Sequence, residues 1–242
     1  MKKVEIAKQY DYNATSIFIA AAVALASSSL LTYIVSDVEN MNSIVKVVFQ
    51  VFTVIFMVIA YIMTVKGFSI VNKACKLSEA NENYYMGKNL MIFSIVSIVL
   101  SIILEIVVFV FYMLISGYQQ SENLTPSDIS ALKNIKILTG IVVIAALLVS
   151  IAMPYIFYLW KIHKITPKTN SINNFALLTM FVMIVQIAIS ILNSVYSLRG
   201  SDVSFLSNFA EISKIIEYVI LVLFFILRRK TLAGVNEVKI EE

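Results

Sequence analysis

Charged side chains are scarce in this sequence. They make up 14% of its 242 residues, against about 25% in soluble domains. Hydrophobic residues make up 60%, and the mean hydropathy is +0.87. A chain with so little polar surface cannot cover a water-soluble fold, so we expect the lipid bilayer to be its solvent. The net charge is +4. The excess basic residues lie beside the apolar runs, where they set the orientation of the protein in the membrane, so they do not indicate nucleic-acid binding.

The residues that build most disulfides, metal sites and catalytic dyads are also rare. Cys75 is the only cysteine, which excludes an intrachain disulfide. His163 is the only histidine and falls outside the apolar runs, which excludes His-ligated zinc and a Ser/His dyad within the membrane. No Gly-rich phosphate-binding loop occurs. We therefore expect neither an enzyme nor a bound cofactor.

Aspartate is absent from the predicted membrane spans. We assign all four aspartates to loops, namely Asp11, Asp37, Asp128 and Asp202. This assignment excludes an intramembrane protease that uses two aspartates.

Glycine and proline are sparse, at six and three residues. Only Gly140 and Pro154 fall within the apolar runs, so the sequence shows little sign of the interrupted helices that build many secondary-transporter sites. Pro154 cannot donate a hydrogen bond to the carbonyl of Ser150, which predicts a kink in its helix. Thr125-Pro126-Ser127-Asp128 predicts a helix start, with Ser127 or Thr125 as the cap.

Long apolar runs dominate what remains. Each is long enough to cross about 30 Å of hydrocarbon as a helix, and in lipid a span of this kind must be helical. The fold class predicted is all-α: a polytopic membrane protein of six transmembrane helices in one bundle. The predicted spans cover residues 17–35, 44–65, 90–115, 137–160, 175–195 and 211–227. Residues 1–16 and 228–242 would then be a cytoplasmic N-terminus and a cytoplasmic tail.

The distribution of basic residues predicts the orientation. Fourteen of the 19 Lys and Arg residues fall in residues 1–16, 66–89, 161–174 and 228–242. By the positive-inside rule these four segments are cytoplasmic, so both termini are predicted inside the cell. The richness in Lys, Ile and Asn suggests a bacterial source, and hence the cytoplasmic membrane.

A polar row interrupts the third run. Ser94, Ser97, Ser101 and Glu105 recur at spacings of three and four, which places them on one helix face. A charge near the bilayer centre costs at least about 2.5 kcal/mol. We therefore expect Glu105 to be protonated, paired with Lys214 or Lys46, or exposed to a water-filled cavity.

Polar side chains of three other spans fall at a similar depth, roughly 9 to 15 Å from the outer end of each helix at about 1.5 Å per residue. They predict a layer centred on Glu105. The candidate binding residues for a cation or proton are Glu105, Gln186, Glu217, Lys214, Thr53 and Gln50. The alternative is that Glu105 holds helices together by hydrogen bonds to Gln186 or Thr53.

Two functions fit these patterns. The first is a permease-like transporter, either a small carrier or the membrane subunit of an exporter driven by a separate ATPase chain. The size, the six spans and the orientation favour it, and residues 66–89 would be the place for the ATPase to dock. The second is a non-transporting interaction protein, an immunity or accessory factor that binds another membrane protein or a pore-forming peptide. Short loops and sparse Gly and Pro favour the second.

Overall fold

A computed structural model describes residues 2–38, 41–77, 87–119, 125–165, 170–198 and 204–237. These residues form seven α-helices joined by short connections. The helices are α1 (Lys2–Asp37), α2 (Ser43–Leu77), α3 (Gly87–Gln119), α4 (Pro126–Leu148), α5 (Ala152–Ile165), α6 (Ser171–Leu198) and α7 (Ser204–Glu237). The all-α prediction is confirmed for this part of the chain.

Five stretches are long and apolar enough to cross a membrane within the described residues. They are Lys8–Ser36, Ser43–Ala74, Asn89–Tyr118, Pro126–Lys164 and Ser171–Leu198. These lengths and compositions indicate a multi-pass helical membrane protein. Helix α7 is not among the five, because Glu211, Lys214 and Glu217 crowd its first half.

Most helices extend beyond the apolar runs that predicted them. Helix α1 begins at Lys2 rather than residue 17, and α2 continues to Leu77 rather than residue 65. Hydropathy marks only the part of a helix that suits lipid, whereas polar turns can continue the same backbone hydrogen bonding. Most of the described part of the predicted 66–89 loop is therefore helical, and residues 78–86 lie outside the described residues.

The start of α4 follows its local sequence. Thr125 is the N-cap and Pro126 follows it at the first helical position, where a missing N–H costs nothing. The backbone N–H of Asp128 donates to Thr125 Oγ1 at 3.3 Å, and the backbone N–H of Thr125 donates to Asp128 Oδ2 at 2.9 Å. The two bonds form a capping box. Of the two predicted caps, Thr125 is confirmed.

Pro154 accompanies a break rather than a gentle bend. Helix α4 ends at Leu148 and α5 begins at Ala152, so the predicted span 137–160 consists of two helices. The carbonyl of Ser150, which Pro154 cannot bond, accepts from the backbone N–H of Met153 at 3.0 Å. The predicted kink is confirmed, and the interruption falls one turn before the proline.

The helices pack into a bundle whose best-buried part lies towards one end. Helix α1 packs against α2 and α7, α3 against α2, α4 and α5, and α6 against α4, α5 and α7. We call the end where α1 begins and where α2, α5 and α7 end the basic end, because Lys8, Lys73, Lys164 and Lys230 lie there. Large buried side chains collect near it.

Close contact between α1 and α2 depends on a glycine. Gly67 is buried in α2, and a Cβ atom at this position would overlap the ring of Phe18 on α1. Phe18 is completely buried and touches rings from three other helices. Glycine at position 67 therefore allows the two helices their present approach.

Candidate functional site

Glu105, the centre of the predicted polar layer, lies on the outside of the bundle. Its side chain is exposed, and Ser101 Oγ on the same helix donates a hydrogen bond to Glu105 Oε1 at 3.3 Å. The serines that share its row are buried: Ser94, Ser97 and Ser101 are each 5% exposed or less. The row therefore passes from the packed part of α3 to its free surface, and Glu105 does not point into the bundle with the serines.

Three of the predicted layer residues are engaged within their own helices or lie at the surface. Gln186 is buried and its Nε2 donates to Ser190 Oγ, one turn along α6, at 3.0 Å. Thr53 Oγ1 donates to the carbonyl of Phe49 at 3.0 Å. Gln50 is exposed. Among the described residues, these side chains form no hydrogen bonds with Glu105 or Glu217. They lie at a similar depth in the bundle but do not form one site with the two glutamates.

Lys214 forms an ion pair, with Glu211 rather than with Glu105. Its Nζ lies 2.9 Å from Glu211 Oε1, three residues earlier on α7. Lys214 is also within electrostatic range of Glu105 and Glu217. Lys46, the other predicted partner, is exposed near the start of α2. One base on α7 thus faces three acids, and its hydrogen bond goes to Glu211.

Glu217 is the buried acid of the predicted set. It is 2% exposed, and its Oε1 has no hydrogen-bond partner among the described residues. It lies eight residues before Phe225 on α7, which is about 12 Å along the helix axis. A carboxyl buried inside the bundle with an unpaired oxygen calls for an explanation, and it is a candidate functional group.

Phenol groups continue the polar region from α7 into the bundle. Tyr218 follows Glu217 and is within electrostatic range of Tyr61 on α2 and Tyr155 on α5. The hydroxyl of Tyr155, in turn, shares a hydrogen bond of 2.8 Å with Thr64 Oγ1. Sequence reasoning did not find this region, because tyrosines in apolar helices are common and their partners come from helices distant in sequence.

Aromatic rings fill the bundle between these phenols and the basic end. We call them the aromatic cluster, and its members come from four helices. They are Phe18, Phe68, Tyr155, Tyr158 and Phe225. The ring centroids of Phe18 and Phe225 are 4.9 Å apart, as are those of Phe18 and Phe68. Each member is 5% exposed or less, so the bundle is closed to water at this level.

A buried ion pair lies beyond the aromatic cluster. Arg228 Nη2 on α7 donates to Asp11 Oδ2 on α1 at 2.8 Å, with only 15% and 3% of the two side chains exposed. The Arg228 guanidinium also lies 6.0 Å from the ring centroid of Tyr158. The pair connects the first and last helices and the ring between them.

The assignment of Asp11 to a loop is therefore wrong. It lies inside α1, within the stretch Lys8–Ser36 that could cross a membrane. Asp11, Thr15, Phe18, Ala22 and Leu25 are all buried and follow a spacing of three and four. Extending that row backwards from the first apolar run would have identified the aspartate.

The positions of the other aspartates also change the argument about proteases. Asp37 is the last residue of α1 and Asp128 lies in the first turn of α4, so their assignment to loops is also wrong, while Asp202 lies outside the described residues. The partner of Asp11 is an arginine rather than a second aspartate. The pairing of Asp11 with Arg228 is therefore the observation that disfavours a protease site of two aspartates. Within the described ranges, no group of three His, Cys, Asp or Glu residues could hold a metal ion.

The arrangement is a set of ionisable groups along one helix, next to a tightly packed aromatic cluster that closes one end of the bundle. Glu211, Lys214 and Glu217 precede the aromatic cluster, and Arg228 follows it. Such an array can take up a cation or proton and hold it away from the closed end. No protein-family model, curated protein or solved structure matches this chain.

Proposed function

We propose that this protein is a permease-like transporter of the bacterial cytoplasmic membrane, with six spans and both termini in the cytoplasm. The observation that carries the proposal is the buried carboxyl of Glu217 on α7, held near Lys214 and separated from the basic end by the aromatic cluster. Charged groups inside a membrane bundle cost free energy. A transport role gives a reason to retain them in this part of the bundle.

The sixth span of the proposal is α7. This helix has 34 residues and packs against α1 and α6. It is long enough to cross the bilayer, at about 1.5 Å per residue. Glu217 is buried, and Lys214 and Glu211 are paired with each other, so the low hydropathy of α7 does not prevent the helix from crossing.

The basic end supports the proposed orientation. Lys66, Lys161 and Arg229 come from separate helices and lie at or near this end of the bundle. A concentration of base favours the cytoplasmic side. A reporter that is active only in the periplasm, fused after Glu242, should give no signal. A strong signal would contradict the orientation.

Charge movement on a supported membrane tests the transport proposal. Purified protein in proteoliposomes is exposed to rapid jumps of pH, Na⁺ and K⁺, and the resulting current is compared with that of empty liposomes. The proposal expects a current in response to at least one of these cations. No current above the empty-liposome level in any of the three jumps would contradict the small-carrier form of the proposal.

A separate ATPase subunit is a second form of the same proposal. The polar end of α2 beyond Val71, with Lys73 and Lys76 exposed, would offer it a docking surface at the basic end. Gentle detergent extraction from the native membrane should then recover an ATPase with the protein. A clean homo-oligomer, without ATPase activity, would favour the small carrier.

The alternative function is a non-transporting interaction protein, and Glu105 favours it. An acid exposed on the otherwise apolar outer surface of α3, beside Ile106 and Phe109, is unfavourable in lipid. A partner helix or a pore-forming peptide that covers Glu105 would relieve this cost. Under this alternative, Glu105→Gln should weaken assembly with the partner. Neither the wild-type protein nor Glu105→Gln should give an ion-driven current.

A further inference from the structure

Glu217 lacks the partners that an ionised carboxyl needs in a buried place. It is 2% exposed, and its Oε1 accepts no hydrogen bond from the described residues. Burying a carboxylate in this way costs several kcal/mol unless a counter-charge or donors replace the lost water. The neutral acid, which carries its own proton, avoids most of that cost.

The groups around Glu217 do not supply a dedicated counter-charge. On α7 the nearest base is Lys214, and its Nζ is hydrogen-bonded to Glu211 at 2.9 Å. Tyr218 is next to Glu217 and within electrostatic range of Tyr61 and Tyr155. All three side chains are phenols and supply no positive charge. Lys214 is also within electrostatic range of Glu105 on α3.

Helices α1 and α6, which pack most extensively against α7, add no cation at this level, and the groups that α2 and α5 bring near Tyr218 are the phenols of Tyr61 and Tyr155. Helix α1 has no ionisable side chain between Phe18 and Tyr33, and Tyr196 is the only one in α6. One base therefore serves Glu211, Glu217 and Glu105 together. A single positive charge cannot neutralise three carboxylates.

A proton suits this site better than a metal ion. Ca²⁺ and Mg²⁺ take about six oxygen ligands, and no group of three His, Cys, Asp or Glu residues that could hold a metal ion occurs in the described ranges. Lys214 would also repel a second cation. A proton needs a single oxygen atom, and Oε1 of Glu217 provides it.

We propose that Glu217 is a proton-binding site, and that the proton is the ion whose movement the transporter uses. The inference rests on the proposed transport function. In the packed structure the site holds a neutral carboxyl. When the site opens to water, the O–H bond breaks and the proton passes to a water molecule, so no oxidant or reductant is involved.

Lys214 has the position to compensate the carboxylate once the proton has left. It lies three residues after Glu211 and three before Glu217, and side chains at this spacing are neighbours on a helix. Its ammonium can therefore exchange one acid for the other. Movement of Lys214 between the two acids would link the protonation of Glu217 to a rearrangement on α7.

Infrared difference spectroscopy tests the site without requiring transport. The reconstituted Glu105→Gln protein, which lacks the exposed acid of α3, is compared with the Glu105→Gln/Glu217→Gln protein as the pH is raised. The proposal expects a band of a protonated, buried carboxyl that disappears at high pH in the first protein and is missing in the second. An identical spectrum in both proteins would overturn the site.

Proton flux, followed by a pH-sensitive dye inside proteoliposomes, completes the test. Glu217→Gln, which has the same size, should reduce the flux at least tenfold, whereas Ser130→Ala, at an exposed position on α4, should retain it. Circular dichroism and gel filtration verify that both proteins fold. The infrared band without any flux would uphold the site and overturn transport. Flux that survives Glu217→Gln would uphold transport and overturn the site.

Discussion

At the scale of single residues, the contact between Gly67 and Phe18 sets how closely α1 and α2 approach. The Phe18 ring is completely buried and cannot rotate away, since it touches Phe68, Tyr155 and Phe225. Sequence reasoning placed Gly67 in a loop, because Lys66 ended the apolar run. The need for glycine became visible only with the partner ring in place.

Gly67→Ala should therefore destabilise the protein. The added Cβ overlaps the Phe18 ring, and overpacking of this kind typically costs about 1–3 kcal/mol. Thermal unfolding in detergent measures the loss. Gly117→Ala is the matched control, because nothing lies within 4 Å of a Cβ at that helical position. The control should gain about 0.5–1 kcal/mol; equal effects of the two substitutions would contradict the overlap.

At the scale of helices, local sequence signals determined some boundaries and not others. The capping residue Thr125 and the break near Pro154 could be predicted, because both depend on neighbours within a few residues. The start of α1 and the end of α2 could not be placed from hydropathy. Their polar turns are stabilised by contacts between helices, such as the bond from Arg228 to Asp11.

The capping box predicts a pH-dependent start of α4, before the apolar part of that helix. The hydroxyl and the backbone N–H of Thr125 both donate to the Asp128 carboxylate, and they lower the pKa of Asp128 below its ordinary value. The ionised form is thus stabilised in the folded state. Its contribution is present above the ordinary aspartate pKa of about 3.9 and is lost as the pH falls through the lower, folded value.

Thr125→Ala should weaken this helix start by about 1 kcal/mol. Amide hydrogen exchange in the first turn of α4 measures the effect, and faster exchange is expected there at neutral pH. Ser130→Ala, at an exposed position one turn later, is the control. Unchanged exchange in Thr125→Ala would show that the first turn does not depend on the cap.

At the scale of the whole molecule, burial identified the candidate site better than the predicted depth of the polar layer did. Depth alone, counted at about 1.5 Å per residue, grouped Glu105 with Glu217, although one is exposed and the other is buried. Depth gives no information on which way a side chain points, and that depends on how the helices pack. The periodicity of single helices therefore identified polar residues without assembling them into a site.

The Asp11–Arg228 pair should contribute strongly to the stability of the bundle. Removing one partner of a buried ion pair typically costs about 3–5 kcal/mol, because the other charge stays buried. Asp11→Asn should therefore lower the unfolding temperature in detergent, and Arg228→Lys should lower it less. Arg229→Gln, which removes a guanidinium 4.6 Å from the ring centroid of Tyr12, is the control. A loss in the control as large as that in Asp11→Asn would contradict a special role for the pair.

The same pair constrains how the protein is made. Asp11 is synthesised 217 residues before Arg228, so α1 to α6 are complete before its partner exists. Until α7 arrives, α1 must keep an unneutralised acid at the membrane boundary, and its final packing has to wait. Chains interrupted anywhere before Arg228 would keep that acid unpaired. Completion of the last helix thus becomes the step that commits the whole bundle to its folded state.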